Sequence, residues 1–150
     1  MTPVACRACG TTTQPFLSLG EHPLPNRFLS QEQLDLPEPR YPLHLVFCPQ
    51  CTLVQLGATV PPEQLFSHYL FASSTSPSTR GHFSDMASHL KKKLHIDSDS
   101  VVVDIASNDG ILLRAWRDLG VSALGVEPAE NLCQMARADG LGTLNEFFTR

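Results

Sequence analysis

The sequence lacks a long apolar run, a basic excess and a glycine-rich phosphate loop, and each absence removes a class of function. Its longest uninterrupted apolar stretches are three or four residues, where a membrane-spanning helix needs about twenty. The N-terminus, MTPVACRACG, has no apolar core of signal-peptide length, so a cytoplasmic location is expected. Eleven basic side chains stand against fifteen acidic ones, a net charge of −4. Residues 1–75 carry three basic and five acidic groups and residues 76–150 carry eight and ten, so each half is −2. Neither half offers the basic face that nucleic acid requires. The dinucleotide pattern G-x-G-x-x-G and the Walker pattern are both missing, and no internal repeat is visible.

What is present is enough for a folded α/β protein. An apolar fraction of 42% supports a packed core. Ten of twelve prolines fall in residues 1–62 and six of nine glycines fall after residue 80. The first stretch therefore reads as short extended pieces joined by turns, because proline cannot serve a central strand. Pro61 to Leu70 reads as a short helix opened by proline. Ser76 reads as the N-cap of a second helix, with Phe83, Met86, Ala87, Leu90 and Leu94 at helical spacing. Lys91, Lys92 and Lys93 read as its solvated, dipole-favoured end. From residue 100 the pattern alternates: a strand over Val101–Ala106, a helix over Ile111–Leu119 stopped at Gly120, and a strand over Ser122–Glu127. A helix over Ala129–Asp139 and a third strand over Leu141–Leu144 follow. Such alternation predicts a right-handed parallel βαβαβ unit. The expected division is 1–60, 61–97 as a helical connector, and 98–150.

Four of the five cysteines form two identical C-x₂-C pairs, Cys6/Cys9 and Cys48/Cys51. Two such knuckles supply four thiolates for one tetrahedral zinc ion. A redox C-x-x-C should open a helix after a strand, which neither pair does, and disulfides are disfavoured in a cytosolic chain. Four sulfur ligands leave no open position, so the zinc is expected to be structural. The 38 residues between the knuckles call for a loop or small hairpin. Cys133, inside a predicted helix, reads as a core residue.

The turn after the first strand of the α/β half reads Asp104-Ile-Ala-Ser-Asn-Asp-Gly110, and the next strand ends in Glu127-Pro128. An acidic strand end, a turn of small residues and a second carboxylate placed for ribose hydroxyls suggest S-adenosylmethionine, a cationic cofactor without phosphate. The plainer reading is that Asp104 caps the turn and Glu127 caps a helix.

At this point the sequence resembles a family. The two knuckles, Leu19-Gly-Glu-His-Pro-Leu-Pro-Asn26, Val46 to Leu56, Tyr69-Leu-Phe-Ala-Ser-Ser74 and Ser107-Asn-Asp-Gly110 occur in this order in S-adenosylmethionine-dependent C-methyltransferases of nucleotide-linked deoxysugars. The resemblance implies a zinc-ribbon-like N-terminal domain followed by the first βαβαβ part of a Rossmann-like class I methyltransferase sheet. It implies Asp104, Ala106, Ser107, Asn108, Asp109, Gly110 and Glu127 as cofactor-binding residues, and a nucleotide sugar as substrate. It places Tyr69 over the active site, where its phenol could serve an enolate; packing of Tyr69 on a helix face is the alternative. His82 reads as a packing or surface histidine. Ala106 stands where the family has glycine. The family's histidine base and its sugar-nucleotide domain match no residue here, so the chain is expected to be an N-terminal portion, inactive alone. A zinc-stabilised protein-interaction module without catalytic activity is the alternative function.

Overall fold

A computed structural model describes residues 4–149, and the chain divides into two compact units, residues 1–65 and 66–150. The first unit is a three-stranded antiparallel sheet, β1 (Gln14–His22), β2 (Tyr41–Phe47) and β3 (Val54–Leu56), in that order. The expected hairpin between the knuckles is β1–β2. Its prolines, paired with Val46 and Glu21 in the β1–β2 ladder, sit at the margins of the sheet. Pro15 lies on the edge strand beside a register shift between Pro15 and Leu17. Pro42 sits on β2 beyond the reach of β3, which pairs only with Leu45–Phe47. Val46 and Cys48 are fully buried and anchor this small core. The helix α1 (Pro62–Phe66) follows.

The second unit begins with α2 (Pro77–Leu94), whose N-cap position is Ser76 with proline behind it. The Ser76 hydroxyl bonds Ser78 rather than a helix amide. Then come β4 (Val101–Ile105), α3 (Ile111–Asp118), β5 (Ser122–Val126), α4 (Glu130–Ala138) and β6 (Thr143–Leu144). The three strands are parallel in the order β4-β5-β6, with Val101 opposite Ser122 and Ile105 opposite Val126. The predicted βαβαβ unit is thus present, each element within two residues of its expected bounds.

One face of this sheet carries the core. Trp116 and Ala115 of α3 pack with Ala87 of α2 and Val121, backed by Val102, Ala123 and Leu90. Leu113, Ala136 and Leu141 form a second cluster against Ala123. Side chains alternate along a strand, and the other face shows Val101, Val103 and Ile105, exposed by 68, 52 and 52%. Cys133 is buried, as expected of a core residue, and burial pushes its thiol pKa up. Lys92 and Lys93 are exposed in the last turn of α2, as expected of the lysine run, and Lys91 alone departs from it. Lys91 is half-buried and its ammonium donates to the Leu119 carbonyl at 2.5 Å, satisfying the C-terminal end of α3. Lysine there neutralises an orphan carbonyl and complements the helix dipole.

The first predicted helix also stops early, at Phe66 rather than Leu70. Continuing it would require the Tyr69 amide to bond four residues back. That amide instead donates to Asn131 Oδ1 at 3.1 Å. Tyr69 therefore sits outside any helix, half-buried, with its ring 6.1 Å from that of Phe66.

The turn after β4 bends through two left-handed residues, Ala106 at φ +59° and Asn108 at φ +53°. Glycine adopts this region at no steric expense, while a β-carbon costs about 1 kcal/mol. The Ala106 side chain is exposed and contributes no packing to offset it. Ala106→Gly should therefore raise unfolding stability by about 1 kcal/mol, read from the denaturation midpoint at unchanged slope.

Candidate functional site

The two cysteine knuckles are built alike. In the first, the Gly10 amide donates to the Cys6 carbonyl at 2.9 Å, and Gly10 takes φ +77°. In the second, the Thr52 amide donates to the Cys48 carbonyl at 2.9 Å with Thr52 at φ +62°. A β-branched residue in that region is an outlier, so the sulfur geometry is kept despite local strain. Gln55, buried on β3, clasps the first knuckle: its Oε1 accepts from the Arg7 amide at 2.9 Å and its Nε2 donates to the Ala5 carbonyl at 3.3 Å. Sequence reasoning gave Gln55 no role, because a single amide carries no motif.

The four Sγ atoms lie within 4.8 Å of one another. Cys6 and Cys51 are 3.5 Å apart, as are Cys9 and Cys48. Tetrahedral ligation with Zn–S bonds of about 2.3 Å sets sulfurs about 3.8 Å apart, so the donor set fits one zinc ion. Hydrogen bonding within the cluster moves its thiols in opposite directions. Hydrogen bonds from the Thr11 hydroxyl and amide, then from Cys48, pull the Cys9 pKa down to about 6. The Cys9 and Ala8 amides lower that of Cys6. Cys51 is lowered by the Leu53 amide, yet its neighbours Cys6 and Cys48 outweigh this and push it up to about 12.

The second site lies at the carboxyl ends of β4 and β5, the usual ligand position in an open parallel sheet. Residues 106 and 107 fold back on β5, where both amides donate to the Val126 carbonyl, at 2.8 and 3.3 Å. This close approach needs Gly125. A β-carbon there would stand 2.8 Å from the Leu113 side chain and closer still to Ser107 Oγ. Glu127 is buried, and its two oxygens accept from the amides of Asn108 and Ala129, each at 2.8 Å. Glu127 thus holds the amide of Ala129, the N-cap position of α4. Each carboxylate oxygen still has acceptor capacity for a hydroxyl.

Asp104 is half-buried at the end of β4. Burial first, and then the nearby negative charge of Glu127, raise its carboxyl above the usual carboxylate range. Ser107 Oγ and Asp109 Oδ1 are buried without a hydrogen-bond partner among the described residues. The turn thus gathers two carboxylates and two unsatisfied oxygens, a set that suits a cationic ligand bearing hydrogen-bond donors.

Asn108 and Asp109 are occupied differently from what sequence alone suggested. The Asn108 side chain donates to the Phe71 carbonyl at 3.0 Å and accepts from the Ser73 amide at 2.9 Å. Asp109, fully buried, accepts from the Ser74 amide at 3.3 Å and from the Ser74 hydroxyl. Its other neighbour, Arg114, lies 3.8 Å away and also pairs with Asp139 at 2.5 Å. Gly110 opens α3 at φ +81°. His82 is exposed and stacks edge-on with Phe83 at 5.5 Å, in keeping with a surface role. The first unit holds a further feature with no sequence signal, an apolar cavity of about 470 Å³ lined by Leu24, Pro25, Pro42 and Leu65 among others.

Residues 6–66 match the Methyltransf_13 family model, described as "Putative zinc binding domain". The chain is also 31% identical over 145 residues, 96% of its length, to C-methyltransferase NovU of Streptomyces niveus. It spans about a third of the length of that relative, 34%. No helix among the described residues is long and apolar enough to cross a membrane.

Asp104 makes a measurable prediction. A carboxyl whose folded pKa is raised favours the protonated fold, so its contribution to stability is greatest in acid and declines as pH rises through the raised value. Asp104→Asn should be the more stable protein at neutral pH, and the difference should vanish below the ordinary carboxylate range. Thermal melts of both proteins between acid and neutral pH check this. A constant gap at all pH values would show that burial of Asp104 carries no electrostatic penalty.

Proposed function

We propose that this chain is the zinc domain and cofactor-turn part of an S-adenosylmethionine-dependent methyltransferase that alkylates a carbon of a nucleotide-linked keto-deoxysugar. The observation that carries the cofactor reading is the placement of Asp104 and Glu127 at the ends of adjacent parallel strands, near enough that the charge of Glu127 raises the Asp104 carboxyl. Mutual repulsion of two such carboxylates is relieved by a bound positive charge. Glu127 would accept from the ribose hydroxyls with its remaining lone pairs, and Asp104 would face the cationic methionine end. Ala106, Ser107 and Gly110 line the turn closely enough for backbone contact. The cofactor, when bound, supplies an electrophilic methyl group.

A carbon beside a ketone becomes nucleophilic once its proton is removed and charge on the enolate oxygen is stabilised. The Tyr69 phenol is the group here suited to donate to that oxygen. Cys6, Cys9, Cys48 and Cys51 would hold the zinc with all four positions filled by sulfur, so the metal serves structure and takes no part in methyl transfer. It would stabilise a proline-rich unit whose apolar core is small, since metal binding free energy becomes folding free energy. The C-methyltransferase relative supports the reaction class. The sugar substrate and the cytoplasmic setting rest on the sequence resemblance.

Two measurements test this reading. Purified protein should contain about one zinc per chain, and Cys48→Ser should lower that at least tenfold, as elemental mass spectrometry reports. Titration with S-adenosylhomocysteine should move the amide resonances of residues 104–110 and 127–129 in a two-dimensional NMR spectrum, with binding too weak for calorimetric heat. Asp104→Asn should abolish those shifts even as it stabilises the fold, the trade expected of a binding residue. Shifts that are absent, or equal in Asp104→Asn, would overturn the cofactor assignment.

A further inference from the structure

The segment from Ser67 to Ala72 has neither helix nor strand, and a short 3₁₀ turn follows over Ser73–Thr75. An extended segment must satisfy its backbone donors and acceptors elsewhere, and this one does so at two fixed places. At one end stands the first turn of α4. The Glu130 amide donates to the Ser67 carbonyl at 3.1 Å. Asn131 brackets Tyr69: its Oδ1 accepts from the Tyr69 amide at 3.1 Å, and its Nδ2 donates to the Tyr69 carbonyl at 2.7 Å. At the other end stands the turn after β4, where Asn108 and Asp109 hold Phe71, Ser73 and Ser74.

We infer that residues 67–74 form a strap fastened across the carboxyl ends of β4 and β5, and that Asn131 is the positioning residue that fixes Tyr69 on it. This rests on the reading of Tyr69 as a group facing the reaction. The paired bonds from one amide side chain to one residue's backbone imitate a rung of a β-ladder and fix that peptide in position and direction. A phenol on a six-atom lever requires that backbone reference, because misplacement of about 1 Å lowers rate about a hundredfold. Asn108 serves the strap's far end, where its side chain bonds Phe71 and Ser73. The strap and the turn that faces the cofactor therefore share one hydrogen-bond network, so a ligand seated on the turn is felt at Tyr69.

The chain has two tyrosines, Tyr41 and Tyr69, so 3-fluorotyrosine labelling of the full chain gives two fluorine resonances, assigned by Tyr69→Phe. Asn131→Ala should move the Tyr69 resonance toward that of free fluorotyrosine and speed exchange of the Tyr69 amide about tenfold. The Tyr41 resonance, the emission of buried Trp116 and the zinc content should not change. Asn131→Asp keeps the shape but sets an oxygen against the Tyr69 carbonyl; it should act in the same direction and carries the test if the alanine variant does not fold. An unchanged Tyr69 resonance and unchanged exchange in a folded variant overturn the inference. S-adenosylhomocysteine should shift the Tyr69 resonance of the unsubstituted chain, and in Asn131→Ala should shift the turn amides alone. If the turn amides move but Tyr69 does not in the unsubstituted chain, the reaction-facing reading of Tyr69 fails, while the exchange data decide the clamp separately.

Discussion

A buried carboxylate, that of Glu127, ties together the carboxyl ends of β4 and β5, and the geometry of the second unit follows from it. One oxygen holds the Asn108 amide and the other holds the Ala129 amide. A carboxylate accepting two backbone N–H groups makes charge-assisted bonds stronger than neutral ones. The bond to the Asn108 amide helps hold a turn in which Ala106 and Asn108 are both left-handed, a conformation asparagine tolerates and alanine does not favour. The other bond sets Ala129, and with it the first turn of α4. Strain stored at a strand end and maintained by its surroundings is common where a fold meets a ligand.

From that tie the network reaches outward. With the Asn108 backbone fixed, its side chain faces the 67–74 segment, and with α4 fixed, Asn131 faces the same segment from the other side. Asn131 thereby holds Tyr69, and Asn108 holds Phe71 and Ser73 of the same segment, each across dozens of residues. Gly125 makes the arrangement possible sterically, since any side chain there would collide with Ser107 and Leu113. The pairing of Asp104 with Glu127 supplies the electrostatic side of the design. Burial and the charge of Glu127 make ionisation of Asp104 costly, a penalty that a neighbouring positive charge would offset.

The first unit follows a different logic. Its strands bury little beyond Leu24, Val46, the half of the cysteine cluster formed by Cys6 and Cys48, and a few polar side chains. Small domains of this size lack the apolar area to outweigh chain entropy and are stapled by metals or disulfides. The sulfur cluster occupies the place a larger core would take. Thr52 tolerates a left-handed backbone there because the knuckle, rather than local preference, decides the turn.

Much of this was legible in the chain. The alternation after residue 100 determined the βαβαβ unit, because apolar period and glycine stops are local properties. The paired C-x₂-C motifs determined which four sulfurs meet, because a short spacing already brings two of them to one point. The carboxylates Asp104 and Glu127 were marked by their positions at strand ends. What the sequence could not settle were partners separated by dozens of residues. The helix expected through Leu70 ends at Phe66 because Asn131, 62 positions from Tyr69, competes for its amide. Lys91 leaves solvent because the Leu119 carbonyl arrives beside it. Asn108 and Asp109 hold a strap as well as lining a turn. Local periodicity fixes elements, since it depends on neighbours in the chain; hydrogen-bond competition among distant groups is decided only once packing brings them together.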